Sequence, residues 1–364
     1  PLSVTVQDRN LWSTVWCNVL VRSDVAGLPG DCGKTGPADR MPWMGRTRTS
    51  DRGKPSTYPN EVHPLQHFWA LPRRFRLVFD SEAIGTCAIY GDREVPVVRT
   101  FHSRPYGTSY AGPYRHPLTP YTQGKNDEPP NPKKGKTGVP YRDWPLLTIG
   151  SPTLVPPRVL DVFFQQERWR FVNSHRVAAR GYAMDNMKPL RFVEAEVPLL
   201  HVPRAFLDDL RADAAGLVAA SESVRKTLSQ QVKAAWSDRP GDQSGDVEAR
   251  VDVAFWGFSE SAFHAAVRGV AFSIEKDDTE ARAEEKRKFL SALQQVAKRV
   301  FETLCPLDVE EGPGNLARAV HARQALDRFT DPQCIPLLRC VGLAPPEDVS
   351  AHRKRRPGKK EATL

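Results

Sequence analysis

The sequence predicts an α+β protein. An irregular mixed α/β region with short strands and a β-hairpin is expected over residues 1–203, an antiparallel four-helix bundle over 204–350, and a basic, disordered tail over 351–364. Three observations carry this reading. Residues near 176–197 alternate at the two-residue period of a strand, residues after Pro203 switch to helical spacing, and residues 101–144 are dominated by proline, glycine, tyrosine and basic side chains.

In chain order, Trp12, Val15, Trp16 and Val19 fall on one face at helical spacing, which predicts a core-facing helix over 11–22. From Arg22 to about Tyr58, glycine, proline and charge predict a long loop with Pro42-Trp43 as its apolar anchor. Phe75, Leu77 and Phe79 alternate with Arg74, Arg76 and Val78 as a strand, and Pro96–Arg99 reads as a second one. Residues 101–144 offer no composition for a core, so they are expected on a surface.

Around Arg180–Pro189 the pattern predicts a hairpin. His175–Arg180 can run extended, and Val193, Ala195 and Val197 alternate with Phe192, Glu194 and Glu196. Asp185 and Asn186 suit a tight turn, while Pro189 discourages a helix there. The tip then presents Asn186, flanked by Lys188. An amide beside a cation suits insertion against nucleic-acid bases, because the amide donates and accepts while the ammonium holds phosphate. An ordinary solvated turn has the same local sequence.

The domain boundary is expected at Leu200–Pro203. Beyond it, Leu207, Leu210, Ala214, Leu217 and Val218 begin an amphipathic helix that continues through Val224, Leu228 and Val232. Phe255, Phe263, Val267 and Val270 mark a second helix, Phe289, Leu293, Val296 and Val300 a third, and Val320 and Leu326 a shorter fourth. Short links between them imply an antiparallel bundle.

A chain of 364 residues with a net charge of +9 and a pI near 9.3 falls among nucleic-acid binders, although anionic membranes and acidic protein partners also attract such charge. No apolar run approaches membrane-spanning length and no signal pattern opens the chain, so a soluble, cytoplasmic protein is expected. The chain begins at Pro1 and runs directly into a strand-like segment, as though an upstream part of the first domain preceded it.

No constellation of catalytic groups stands out. The six cysteines form no CxxC pair, His63 and His67 flank Pro64, and there is no phosphate loop, GxGxxG or paired acidic nuclease motif. Basic residues on the helices have acids nearby, as Glu284 and Glu285 lie beside Lys286–Lys288. Lys133, Lys134 and Lys136 have few acids near them and are the better candidates for holding phosphate. The basic block Arg353–Lys360 could also grip phosphate or stay solvated.

Several segments in order resemble the CasA family, the large subunit of the type I-E CRISPR Cascade complex. They are Leu11–Leu20, Phe68-Trp69-Ala70-Leu71-Pro72-Arg73, and Gly112-Pro113-Tyr114-Arg115-His116-Pro117-Leu118-Thr119-Pro120-Tyr121, followed by the hairpin and the bundle. The resemblance covers most of the chain with motifs that are each degenerate.

It implies a non-catalytic subunit of an RNA-guided antiviral ribonucleoprotein. Such a subunit recognises the protospacer-adjacent motif in duplex DNA, helps open the duplex for guide-RNA pairing, stabilises the displaced strand and is followed by a recruited helicase-nuclease. By residue, Asn186 falls at the family's wedge side chain, with Asp185 and Lys188 beside it. Arg104 falls near its minor-groove lysine finger, and Lys133 and Lys134 near the pair lining the displaced-strand path.

Two departures stand out. Some members hold zinc with four cysteines, but only Cys87 matches here, with Phe79, Ile89 and Tyr90 at the other positions, so no zinc or other cofactor is expected. The family's N-terminal glycine loop has no counterpart before Pro1. A protein-interaction scaffold and a nuclease are the rival readings.

Overall fold

In the computed structural model of the chain, the described residues are 2–21, 36–46, 48–53, 56–58, 61–67, 69, 71, 73–80, 82–104, 106–110, 116–123, 131–135, 138–151, 153–171, 176–185, 188–242, 246–306 and 314–345. The architecture is α+β, as the sequence predicts. The strands are β1 (Ser3–Gln7), β2 (Arg74–Val78), β3 (Ile84–Gly85), β4 (Val95–Pro96), β5 (Thr100–Arg104), β6 (Tyr121–Thr122), β7 (Asn131–Pro132), β8 (Leu154–Val155), β9 (Arg176–Asp185) and β10 (Lys188–Pro198). The helices are α1 (Leu11–Cys17), α2 (Pro37–Arg40), α3 (Trp144–Leu147), α4 (Arg158–Gln165), α5 (Leu207–Trp236), α6 (Asp246–Glu275), α7 (Thr279–Leu304), α8 (Leu316–Phe329) and α9 (Ile335–Cys340). They form two compact units, one of residues 1–18, 118–122 and 132–364, the other of 19–117 and 123–131.

In the larger unit, β1, β9 and β10 make an antiparallel sheet with β9 in the middle. Strand alternation sets its sides: Val4 and Val6 of β1, and Val177, Ala179, Val193 and Val197 of the hairpin, are all buried. The long helices follow the predicted spacing. Leu210, Leu217, Val224, Leu228 and Val232 of α5 meet Phe255, Phe263, Val267 and Val270 of α6, and Phe289, Leu293 and Val300 of α7. Each fully buried side chain of this size contributes about 1.5–3 kcal/mol. Between α5 and α7, buried Asp213 accepts from Arg282 and pairs with Lys286, both at 2.5 Å.

Local chemistry sets the helix ends. Asp208 and Asp209 lie in the first turn of α5, where the N-terminal dipole favours acids. Asp278 caps α7 by accepting from the Ala281 amide, and Asn315 caps α8 by accepting from the Arg318 amide. A Cβ on Gly216 would come within 2.6 Å of the Cys340 carbonyl oxygen, so glycine allows the end of α9 to lie against α5. The predicted stripe of α8 holds at Leu326 but not at Val320. Val320 is exposed, and Ala319 and Ala322 bury instead.

Helix α1 departs from expectation in its orientation. Trp12 and Trp16 are 75% and 63% exposed, Val15 and Val19 are exposed, and of the helix only Cys17 is buried. The polar side docks because it completes the sheet. Asn18 accepts from the Val6 amide at 2.8 Å and donates to the Val6 carbonyl at 2.8 Å, while Thr14 accepts from the Asp8 amide. Arg168 donates to the Trp16 and Cys17 carbonyls at the helix end. Those bonds outrank the aromatic stripe, which stacks on itself, Trp12 on Trp16 at 6.1 Å.

A second correction concerns residues 101–144, which the composition assigned to a surface. Tyr141 and Trp144 are among the largest fully buried side chains, and Tyr121 is buried too. Tyr141 stacks on Phe263 at 4.4 Å and shares a 3.0 Å hydrogen bond with Ser259. Trp144 packs edge-on to Phe263 and donates from Nε1 to the Pro198 carbonyl at 2.8 Å. A few large aromatics suffice for a core where average composition denies one.

In the smaller unit, β2 pairs with β5 and β3 with β4. The strand expected over Pro96–Arg99 is only partly there: Pro96 ends the short β4, and the longer β5 begins at Thr100. Alternation in β2 does not mean burial. Phe75 and Leu77 are exposed, with Phe75 set edge-on to Phe101 at 5.7 Å. Buried Pro42 and a Trp43–Trp69 edge contact of 5.7 Å mark the anchor predicted in the long loop, and Trp69 donates to the Arg40 carbonyl.

Burial pushes the Tyr141 phenol up to about 12, against about 10 for an unfolded tyrosine. The stability this adds is intact below pH 10 and is lost as pH rises through the folded value. In urea unfolding between pH 9 and 12, wild type is therefore expected to lose about 2–3 kcal/mol more than Tyr141→Phe. Burial also raises the Cys305 thiol to about 12, and that loss is common to both proteins.

Candidate nucleic-acid interface

The hairpin of β9 and β10 is held in one register. Asp185 lies opposite Lys188, Tyr182 opposite Phe192, Arg180 opposite Glu194 and Val177 opposite Val197, with an irregularity between Pro189 and Arg191. A slip of one residue would turn Val193 and Val197 out of the core, so the buried face fixes where the tip falls. The predicted turn is shorter than Arg180–Pro189, because the ladder continues to Asp185 and resumes at Lys188. Asn186 lies outside the described residues, between these two strand ends.

The lysine segment joins the hairpin. The Leu2 amide donates to the Lys133 carbonyl at 2.9 Å, and the Lys133 amide donates to the Pro120 carbonyl at 3.0 Å. Gly135 is buried where an added Cβ would stand 3.1 Å from Leu2 and 3.5 Å from Val193 of β10. Gly138, at φ +80°, lies beside the Arg191 guanidinium. Lys133, Gly135 and Gly138 thus lie along one side of the hairpin, a proximity invisible in a sequence where some fifty residues separate the two.

The lysines are not equivalent. Lys133 is mostly buried, and its ammonium bonds Asp143 at 2.6 Å, so it fastens the segment to the start of the Trp144 helix. Lys134 is exposed and has no ion pair among the described residues; the same holds for Lys188 and Arg191. Lys136 lies outside the described residues. Arg104 is exposed at the end of β5, opposite Arg74, in the smaller unit.

Sequence reasoning passed over Arg191 and the exposed pair Tyr182–Phe192. The alternation of Phe192 with buried Val193 was the available signal. The side on which Arg191 approaches the lysine segment required the fold.

Cys87, the one cysteine that the resemblance aligned with a zinc set, lies in a turn in which its amide donates to the Asp92 carbonyl and its carbonyl accepts from the Gly91 amide. Backbone hydrogen bonds from Tyr90 and Ile89 hold its thiol below the usual cysteine range. Phe79, Ile89 and Tyr90 are all strongly exposed. Among the described residues no group of three His, Cys, Asp or Glu could hold a metal ion, and no helix is long and apolar enough to cross a membrane.

Replacing Lys133 strips the buried Asp143 carboxylate of its counter-charge, and Asp143 Oδ2 already has no hydrogen-bond partner among the described residues. Lys133→Ala should therefore cost about 3 kcal/mol in urea unfolding. Lys134→Ala should change stability by no more than about 0.5 kcal/mol.

Comparison with known proteins sets this geometry in a family. No curated protein matches the sequence. Among solved structures, Thermobifida fusca Cse1 is similar to this chain at 15% identity and a TM-score of 0.54, covering 93% of this chain and 62% of its own. Cse1 from Acidimicrobium ferrooxidans matches at 14% identity and a TM-score of 0.49, over 94% of this chain and 64% of its own. A chain described as a CRISPR RNA-guided surveillance complex matches at 15% identity and a TM-score of 0.49, over 89% and 59%. The chain thus spans about three-fifths of the length of these relatives. The family model for CRISPR-associated protein Cse1 matches residues 2–300, so the chain belongs to the Cse1 family, also called CasA, as its ordered motifs indicated.

Proposed function

We propose that this chain is the non-catalytic DNA-recognition subunit of a type I-E Cascade complex, an RNA-guided antiviral ribonucleoprotein. In this reading it recognises the protospacer-adjacent motif in duplex DNA and opens the duplex so that guide RNA can pair. The displaced strand is then stabilised, and a helicase-nuclease is recruited after opening. Its partners are double-stranded DNA, guide RNA and the companion subunits.

Family membership supports the class of complex. The observation that carries the DNA-opening role is the register-locked hairpin with a cationic segment packed along one side. A wedge must resist being pushed back by restacking bases. Opening costs a few kcal/mol per step, so a rigid two-stranded arm built on a buried face is suited to the work. Asn186 parts the bases at the tip, with Asp185 and Lys188 beside it. Lys134, Lys136 and Arg191 hold phosphates, while Lys133, tied to Asp143, sets the position of its neighbours. Arg104 is assigned to the minor groove, where a narrow, electronegative groove attracts guanidinium.

Asn186→Ala is expected to impair strand opening while leaving non-specific binding largely intact. Base-analogue fluorescence at the first target positions measures it, and equal opening in variant and wild type would rule out the wedge. Lys134→Ala with Arg191→Ala should weaken binding across all sequences and lower the slope of log K against log salt by about 1 for each phosphate no longer neutralised. An unchanged slope would remove both residues from the phosphate path.

A further inference from the structure

The two faces of the hairpin are chemically unlike. On the side of the lysine segment, Val193, the register partner of Gly181, packs against Gly135, and Arg191 reaches Gly138. By alternation, the opposite face carries the pairs Arg180–Glu194, Tyr182–Phe192 and Met184–Pro189. Nearer the base of the arm this face is charge-neutral, because Arg180 pairs with Glu194 at 2.5 Å and Arg176 with Glu196 at 3.0 Å.

Farther out stand Tyr182 and Phe192, 58% and 53% exposed, with ring centroids 5.4 Å apart and planes at 71°. The ladder holds these rings side by side, and both stay exposed.

The choice of occupant follows from charge and distance. A phosphate backbone gains little on a face whose arginines are already neutralised by Glu194 and Glu196. The π-face of a nucleobase does gain there, since aromatic stacking needs no charge. Tyr182 lies three strand positions from Asp185, about 10 Å at roughly 3.4 Å per residue. That is about three nucleotides at the 3.4 Å rise of one DNA strand. Bases freed at the tip therefore come within reach of the rings after about three steps.

We propose that Tyr182 and Phe192 form a stacking platform for unpaired bases of one strand, on the hairpin face opposite Lys134 and Arg191. The arm then holds one parted strand by its phosphates and the other by its bases, which opposes re-annealing from both sides. This inference rests on the duplex-opening reading above.

The test uses the RNA-loaded complex containing this chain, with target duplexes carrying 5-iododeoxyuridine at the first four opened positions of either strand. Irradiation followed by peptide mapping is expected to give crosslinks at Tyr182 or Phe192 from one strand only. Tyr182→Ala with Phe192→Ala should abolish them and lower the opened fraction relative to duplex by about tenfold or more. Tyr182→Phe should keep both signals, because the ring remains.

Crosslinks in opened complexes that never map to these two residues overturn the platform. So does opening by the double variant equal to wild type. If opening fails in Asn186→Ala but persists in the double variant, the platform falls and the opening role stands. If the wild-type complex does not open the duplex, the opening role fails, and the platform with it. Loss of companion subunits by the double variant, with crosslinks absent from the wild type, would make this face a protein-binding surface and also overturn the proposal.

Discussion

The short segment from Tyr141 to Trp144 holds the larger unit together. Tyr141 lies between α6 side chains, stacked on Phe263 and hydrogen-bonded to Ser259. Trp144 reaches the other way, donating to the Pro198 carbonyl where β10 ends. Asp143, between them, takes the ammonium of Lys133. Three neighbouring side chains thus connect the helices, the sheet and the lysine segment. Each connection is buried or nearly so, where low dielectric strengthens paired groups and penalises unpaired ones.

The geometry of the hairpin follows from that junction. With the end of β10 fixed at Pro198 and the inner face filled by Val177, Val193 and Val197, the strands extend from a rigid base. Their distal pairs are free to carry exposed groups. Exposed aromatics at Tyr182 and Phe192 sit on an arm that gains its stability elsewhere, and the exposed cations Lys134 and Arg191 sit on the other side.

Much of this was legible locally. The two-residue alternation around Val193–Val197 and the turn-forming Asp185 and Asn186 predict the hairpin, because one strand's pattern already states which side chains turn inward. The helical spacing of Leu210, Leu217, Leu228, Phe289 and Leu293 predicts the long helices for the same reason. Periodicity misled at α1, where Trp12 and Trp16 share a face that faces out. A stripe marks one side of a helix but does not say which side carries the better hydrogen bonds, and Asn18 decided that. Composition misled over residues 101–144, since an average conceals single large anchors such as Tyr141 and Trp144.

By itself the sequence determined the α+β class, the hairpin, the long amphipathic helices and the family. These depend on interactions close in the chain or on ordered motifs. Only the tertiary structure decided that Gly135 and Gly138 lie along β10, that Lys133 is occupied by Asp143 while Lys134 is exposed, and that Tyr182 and Phe192 share the opposite face of the hairpin. These facts join residues far apart in the chain, and their outcome turns on which groups are buried together. That competition between desolvation and pairing has no local signature.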